Sequence, residues 1–286
     1  MTLLSDIQGA GLGLKRELMD ALQARQPAVI DFFEVAPENW AGMGGARAKQ
    51  FAWFAERYPI VAHGLSLSLG GPDPLDVGLL HRIKTFLDQF EIPLYTEHLA
   101  YCSAGGHLYD LLPIPRTEEA VLYVADRIRR TQDILERRIA VENASYYVDT
   151  PVSELSELEF IRAVLDEADC DLHLDVNNIY VNSVNFRYDP AEFLRQLPGA
   201  RVVYIHTAGH LQLKPHLIVD THGDAVIDPV WDLLEQAYQQ FGVAPTLLER
   251  DLNIPPLDVL VPEIEHIAAL QRQHGLARRE PVRRSA

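Results

Sequence analysis

The stretch TEEAVLYVADRIRRTQDILERRIAVEN, residues 117–143, opens with a threonine cap, continues as a long amphipathic pattern and ends in a short run of branched apolar residues. A similar short run, IPLYTEH (92–98), precedes it, so the segment reads as strand, helix, strand. The same alternation extends in both directions. The strand-like runs are AGLGL (10–14), IDFFEV (30–35), PIVAHG (59–64), IPLYTEH, RRIAVEN (137–143), CDLHLDV (170–176), VVYIHT (202–207) and PTLLER (245–250). Amphipathic segments such as PLDVGLLHRIKTFLDQF (74–90) and DPVWDLLEQAYQQFG (228–242) lie between them, with Pro, Asp or Thr near their starts.

Eight β/α units without an intervening linker predict an α/β fold of the (β/α)8 TIM-barrel type, one catalytic domain over residues 1–275. A doubly wound open sheet is the rival, but no GxGxxG loop follows a strand. The glycines of GAGLGL (9–14) lie inside the first strand, where close packing at the barrel wall is the better reason for them.

Composition narrows the function. The chain has 286 residues, 48% of them apolar, enough for a large core. Its net charge of −16 repels a phosphate backbone, so no nucleic-acid partner is expected. No apolar run reaches the length of a membrane span, MTLLSDIQGA lacks the cationic and apolar parts of a secretory signal, and Cys102 and Cys170 form no disulfide framework. A cytoplasmic protein without a membrane partner is expected. The basic end LARREPVRRSA (276–286) is expected to be a disordered, solvated tail.

In a TIM barrel the chemistry sits at the carboxyl ends of the strands. Those ends carry Glu34, His63, His98, Glu142, Asp175, His206 and Glu249, on the second to eighth runs in order. One histidine at a strand end is ordinarily a packed or solvated side chain. Seven successive donors around one mouth are different, because carboxylates converging there repel unless cations separate them. Histidine with carboxylate and no thiolate suits iron(II), manganese or zinc, and Glu142 and Glu249 each have two oxygens with which to bridge ions. The loop segment VDTHGD (219–224) adds Asp220 and His222, which read as further ligands rather than turn decoration.

Other residues carry two readings. Asn143 and Asn177 orient a ligand or meet substrate, or else close strand-end turns. Glu34 is expected behind the ligands or facing substrate, and His210 on a loop that can cover the mouth, with Lys214 solvated there. His173 shares a strand face with Asp175 and is expected one layer down as core, Cys102 as a packed thiol, and Tyr146 and Tyr147 as lining or packing.

The motifs GLGLK, FFEVAPENW, HGLSLSLGG, TEHLAY, YDLLPIP, ERRIAVENAS, LHLDVNNIYVN, YIHTAGH, DTHGD and TLLERD, in this order over nearly the whole chain, resemble those of the multinuclear non-haem iron-dependent oxidative enzymes. The resemblance implies a di- or tri-iron centre with mixed Fe(II)/Fe(III), O2 as cosubstrate, a cysteine-containing precursor peptide and a dedicated partner protein presenting it. The subgroup linked to copper-responsive peptides, where cysteines become thio-oxazole or oxazolone-thioamide groups, is the nearer one.

A more distant resemblance, to endonuclease IV and xylose isomerase barrels, implies the distribution of ligands. It puts His63, His98 and Glu142 on one ion, and Glu142, Asp175, His206 and Glu249 on a second. Asp220 and His222 fall on a third, where the remaining histidine position is Asn178, a weaker donor. The alternative is a zinc or manganese hydrolase or isomerase on the same ligands; a barrel that binds peptide or metal without turnover is the third reading.

Overall fold

The computed structural model describes residues 7–275; the basic end at 276–286 lies outside them. Eight parallel strands close into a barrel: β1 (Ala10–Gly13), β2 (Phe32–Val35), β3 (Ile60–Gly64), β4 (Tyr95–His98), β7 (Ala140–Glu142), β8 (Asp171–Asp175), β9 (Val202–Ala208) and β12 (Thr246–Glu249). β12 pairs with β1 to complete the ring. The barrel strands are those expected from the runs, with ends shifted by a few residues. Arg137 and Arg138, for example, precede β7 instead of joining it, because Arg137 bonds the carbonyls of Ile92 and Leu135 while Arg138 pairs with Asp171.

Helices α1 (Met19–Arg25), α2 (Gly45–Ala55), α3 (Val77–Gln89), α4 (Glu118–Leu135), α5 (Glu157–Ala168), α6 (Val176–Phe186), α7 (Pro190–Gln196), α8 (Asp228–Phe241) and α9 (Leu257–Gln273) surround the strands. Their starts follow local chemistry. Asp76 and Thr117 accept from the amides of Leu79 and Ala120, and Ser156 forms a reciprocal capping box with Glu159. None of the described helices is long and apolar enough to cross a membrane.

Two hairpins interrupt the simple alternation. β5 (Tyr101–Ser103) pairs with β6 (His107–Leu112) after β4, and β10 (Leu211–Lys214) pairs with β11 (Leu217–Val219) after β9. Both lie in β-to-α connections and therefore on the side of the mouth.

The barrel interior follows the two-residue period of a strand. Phe32, Val61, Leu94, Tyr204 and Leu247 form a buried cluster with Ile7 and plug the barrel below the mouth. Two residues further along their strands stand Glu34, His63, Thr96, His206 and Glu249. At the wall, a Cβ on Gly11 would lie 2.3 Å from the Phe32 ring, which is the packing reason for a glycine in β1.

Candidate metal centre

His63, His98 and Glu142 meet on the side of β3, β4 and β7. His63 Nε2 lies 3.2 Å from His98 Nε2 and 3.2 Å from Glu142 Oε2, and His98 Nε2 lies 3.4 Å from the same oxygen. His98 Nδ1 is 3.1 Å from the Gly64 carbonyl, which can only accept, so Nδ1 carries the proton and Nε2 keeps its lone pair. The Thr96 hydroxyl meets His63 Nδ1 at 2.7 Å and turns the other nitrogen of that ring inward too. Donors held 2.0–2.2 Å from one ion stand about 2.9–3.5 Å from each other. The triangle has that size, and nothing but a cation or an added proton reconciles lone pairs so placed.

The second group is formed by Glu142, Asp175, His206 and Glu249, each contributing an atom within 4.8 Å of the others. Asp175 caps α6, its Oδ1 taking the amide of Asn178 at 2.7 Å, while Oδ2 is buried without a partner. Glu34 receives His206 Nε2 at 2.8 Å and the Tyr204 hydroxyl at 3.0 Å. His206 Nδ1 is thereby turned to Glu249 Oε2, 2.8 Å away but off the line of a hydrogen bond.

His222, in the left-handed region with φ 47°, joins the third group with Glu249 and Asp251. Its Nδ1 lies 2.9 Å from Asp251 Oδ2, and Lys15 pairs with the other Asp251 oxygen. Its Nε2 lies 2.6 Å from Asp220 Oδ1. Asp220 is further held by Asn177 Nδ2 at 2.8 Å, by Ser145 Oγ at 2.9 Å and, through its amide, by the Tyr147 hydroxyl. His210 completes this line, its Nδ1 2.8 Å from Asn177 Oδ1 and its ring stacked on Tyr180. Asn178 donates to the Asn143 carbonyl and leaves Oδ1 buried and unpaired. Asn143 does not face the mouth, because its amide exchanges two 2.9 Å bonds with the backbone of Asp175.

The electrostatics require compensation. Burial opposes charge on Glu142, yet the imidazoles of His173, His98 and His63 hold its carboxyl below the usual range. Burial opposes protonation of His98, but Glu142 and Glu97 overcome it and push the ring up to about 9. His206 and His222 are likewise raised against burial, by Glu34 with Glu249 and by Asp220 with Glu249 respectively. Asp175 is raised well above the carboxylate range by burial and then by Glu142. Buried atoms without hydrogen bonds include Glu142 Oε2, Asp175 Oδ2, Asn178 Oδ1, His206 Nδ1, His222 Nε2 and Glu249 Oε2. Orphans of this kind are costly in ordinary cores, and their convergence on one mouth fits divalent metal.

Sequence reading missed Thr96, Lys15 and Asp251. Each stands two residues from a strand-end donor or strand end, so the same two-residue period pointed to them. Cys102 is packed as expected, its thiol donating to the Leu65 carbonyl and its pKa raised by burial.

Fold and site together define a TIM barrel of the xylose isomerase-like type whose mouth can hold metal. Among solved structures, a xylose isomerase-like TIM barrel protein from Mycobacterium smegmatis in complex with magnesium superposes with a TM-score of 0.62 at 12% identity, covering 96% of this chain and 99% of that one. D-psicose 3-epimerase from Clostridium cellulolyticum gives 0.58 at 9% identity, with 93% and 96% covered. Residues 9–272 match the model of the RiPP precursor modification enzyme MbnB/TglH/ChrH, and the chain belongs to that family of enzymes acting on ribosomally made precursor peptides. It is 66% identical to a UPF0276 protein of Nitrosospira multiformis over 93% of this chain and 94% of that one, and 51% identical to one of Pseudomonas aeruginosa over 95% of each.

Proposed function

We propose that this enzyme is a multinuclear iron-dependent, O2-using oxidase that modifies cysteine residues of a ribosomally synthesised precursor peptide, giving a heterocycle or thioamide-type product with the help of a partner protein. The observation that carries the reading is the set of inward lone pairs of His63, His98 and Glu142 beside the Glu142, Asp175, His206, Glu249 group, in a chain of a peptide-modifying family. His63, His98 and Glu142 would hold one iron, and Glu142, Asp175, His206 and Glu249 a second. A third would rest on Asp220, His222 and Asn178. Bound iron supplies affinity for a soft cysteine sulfur and the redox capacity to use oxygen.

The protein's own part is orientation and exclusion of water. Glu34, Thr96 and the Gly64 carbonyl fix which imidazole nitrogen faces inward. Asn143 locks the backbone of Asp175, and the Asn177–His210 pair steadies Asp220. Apolar side chains exposed on the mouth segments, among them Leu65, Tyr109, Leu211, Leu213 and Leu252, offer a surface for peptide and partner. The open edges of the two hairpins suit an extended peptide.

The test begins with metal analysis of protein purified without oxygen, alongside His206→Ala and Asp220→Ala. Two to three irons per chain, reduced in either variant, and oxygen uptake with a cysteine-bearing peptide are expected. Zinc or manganese alone, with no activity gained on adding iron(II), would move the assignment to a hydrolase or isomerase on the same ligands, which the thiolate-free donor set also accommodates.

A further inference from the structure

Directly below the mouth, the barrel interior is mostly apolar, made by Phe32, Val61, Leu94, Tyr204 and Leu247, and His173 packs against the Tyr204 ring there. The Tyr204 hydroxyl is satisfied by Glu34. His173 is 0% exposed, and neither of its ring nitrogens has a hydrogen-bond partner. An imidazole buried in this way carries a desolvation cost for each unpaired nitrogen, which phenylalanine or leucine at the same place would avoid.

The ring does not lie among apolar neighbours alone. Its centroid is 3.9 Å from that of His206 and 5.1 Å from that of His63, both edge-on. One of its nitrogens shares a sphere with a His63 nitrogen and a Glu142 oxygen, all mutually within 4.8 Å. His173 makes no hydrogen bond within this group. Donors roughly 2.0–2.2 Å from one ion stand no more than about 4.4 Å apart, so the three side chains would close slightly on an ion they share.

We propose that His173 is a further protein ligand, reaching from the barrel interior to an ion held with His63 and Glu142. The inference rests on the reading that this group holds metal. It gives that ion a donor from below the strand ends, which the strand-end residues alone would not imply.

The probe is cobalt(II), added to metal-free protein. In crystals of the loaded wild type, diffraction at the cobalt edge should place an ion within about 2.0–2.3 Å of a His173 nitrogen. In solution, His173→Phe should bind one cobalt at least about tenfold more weakly and change the visible absorption of that site, with His173→Gln recovering part of the loss. An ion more than 3 Å from both ring nitrogens overturns the proposal, as does an unchanged titration and spectrum in a folded His173→Phe. Should the variants fail to fold, the wild-type diffraction decides. Failure of the wild type to bind any cobalt or iron would remove the metal reading itself, a result distinct from wild-type binding that ignores His173.

Discussion

Glu34 accepts a hydrogen bond from Nε2 of His206 at 2.8 Å, and this bond decides which face of the imidazole looks at Glu249. With Nε2 occupied, Nδ1 is the only nitrogen left for an ion. Removing the carboxylate frees the ring to rotate or change tautomer. Glu34→Ala is therefore expected to weaken one metal equivalent by roughly 10- to 100-fold, with Glu34→Gln, which can still accept through its amide oxygen, at the lower end. Competition against a chelator of known affinity measures this. Equal metal retention in Glu34→Ala and the wild type would show that His206 needs no such partner.

Lys15 acts at one remove on the opposite side. It pairs with Asp251, and Asp251 holds His222 Nδ1 at 2.9 Å, while the Asp251 amide bonds the His222 carbonyl at 3.0 Å. Loss of the ammonium leaves Asp251 free to swing away. Lys15→Met should lower metal retention by up to one ion per chain, and Lys15→Arg should preserve most of it. Because both partners are partly exposed, global stability should change by no more than about 1 kcal/mol. Metal content and thermal melting, read on the same samples, separate these effects.

Much of this site was legible because one period governs both fold and chemistry. Short apolar runs gave the eight barrel strands, and the fold rule that chemistry lies at strand ends selected His63, His98, Glu142, Asp175, His206 and Glu249 without regard to sequence distance. The two hairpins were not legible. Residues 101–112 and 211–219 mix charged, aromatic and apolar side chains and bury only Cys102 and Ile218, too little to impose alternation, so His107, Tyr109 and Leu213 stand in strands that are largely exposed. The role of Asn143 was hidden for another reason: its side chain serves the backbone of Asp175, 32 residues away, and no local pattern encodes such a bond.

Gly11 tests the packing of the barrel wall. A Cβ there meets three atoms of the Phe32 ring between 2.3 and 2.7 Å, and Phe32 sits fully buried in the plug. Gly11→Ala should cost about 1–3 kcal/mol by overpacking, and Gly11→Val more. Urea denaturation should show the midpoint falling with little change in slope. A midpoint equal to that of the wild type would mean that the ring has room to move.

Glu157 supplies a pH signature outside the metal cluster. It takes the Tyr146 hydroxyl at 2.8 Å and Asn182 Nδ2 at 3.2 Å, but burial prevails and pushes its pKa up to about 7. A carboxyl that binds its proton more tightly when folded opposes folding once the unfolded chain has released that proton. No penalty exists below the unfolded value near 4.5; it grows as pH rises and is complete above about 7. Stability should therefore fall by no more than about 3 kcal/mol across that window from this group, less where solvent reaches it. In Glu157→Gln the decline between pH 4.5 and 7 should flatten, because the amide does not titrate, while its oxygen still accepts from Asn182 and its NH2 group donates to the Tyr146 hydroxyl. Denaturant midpoints at half-unit pH steps, compared between the two proteins, measure the difference, and parallel curves would place the proton elsewhere.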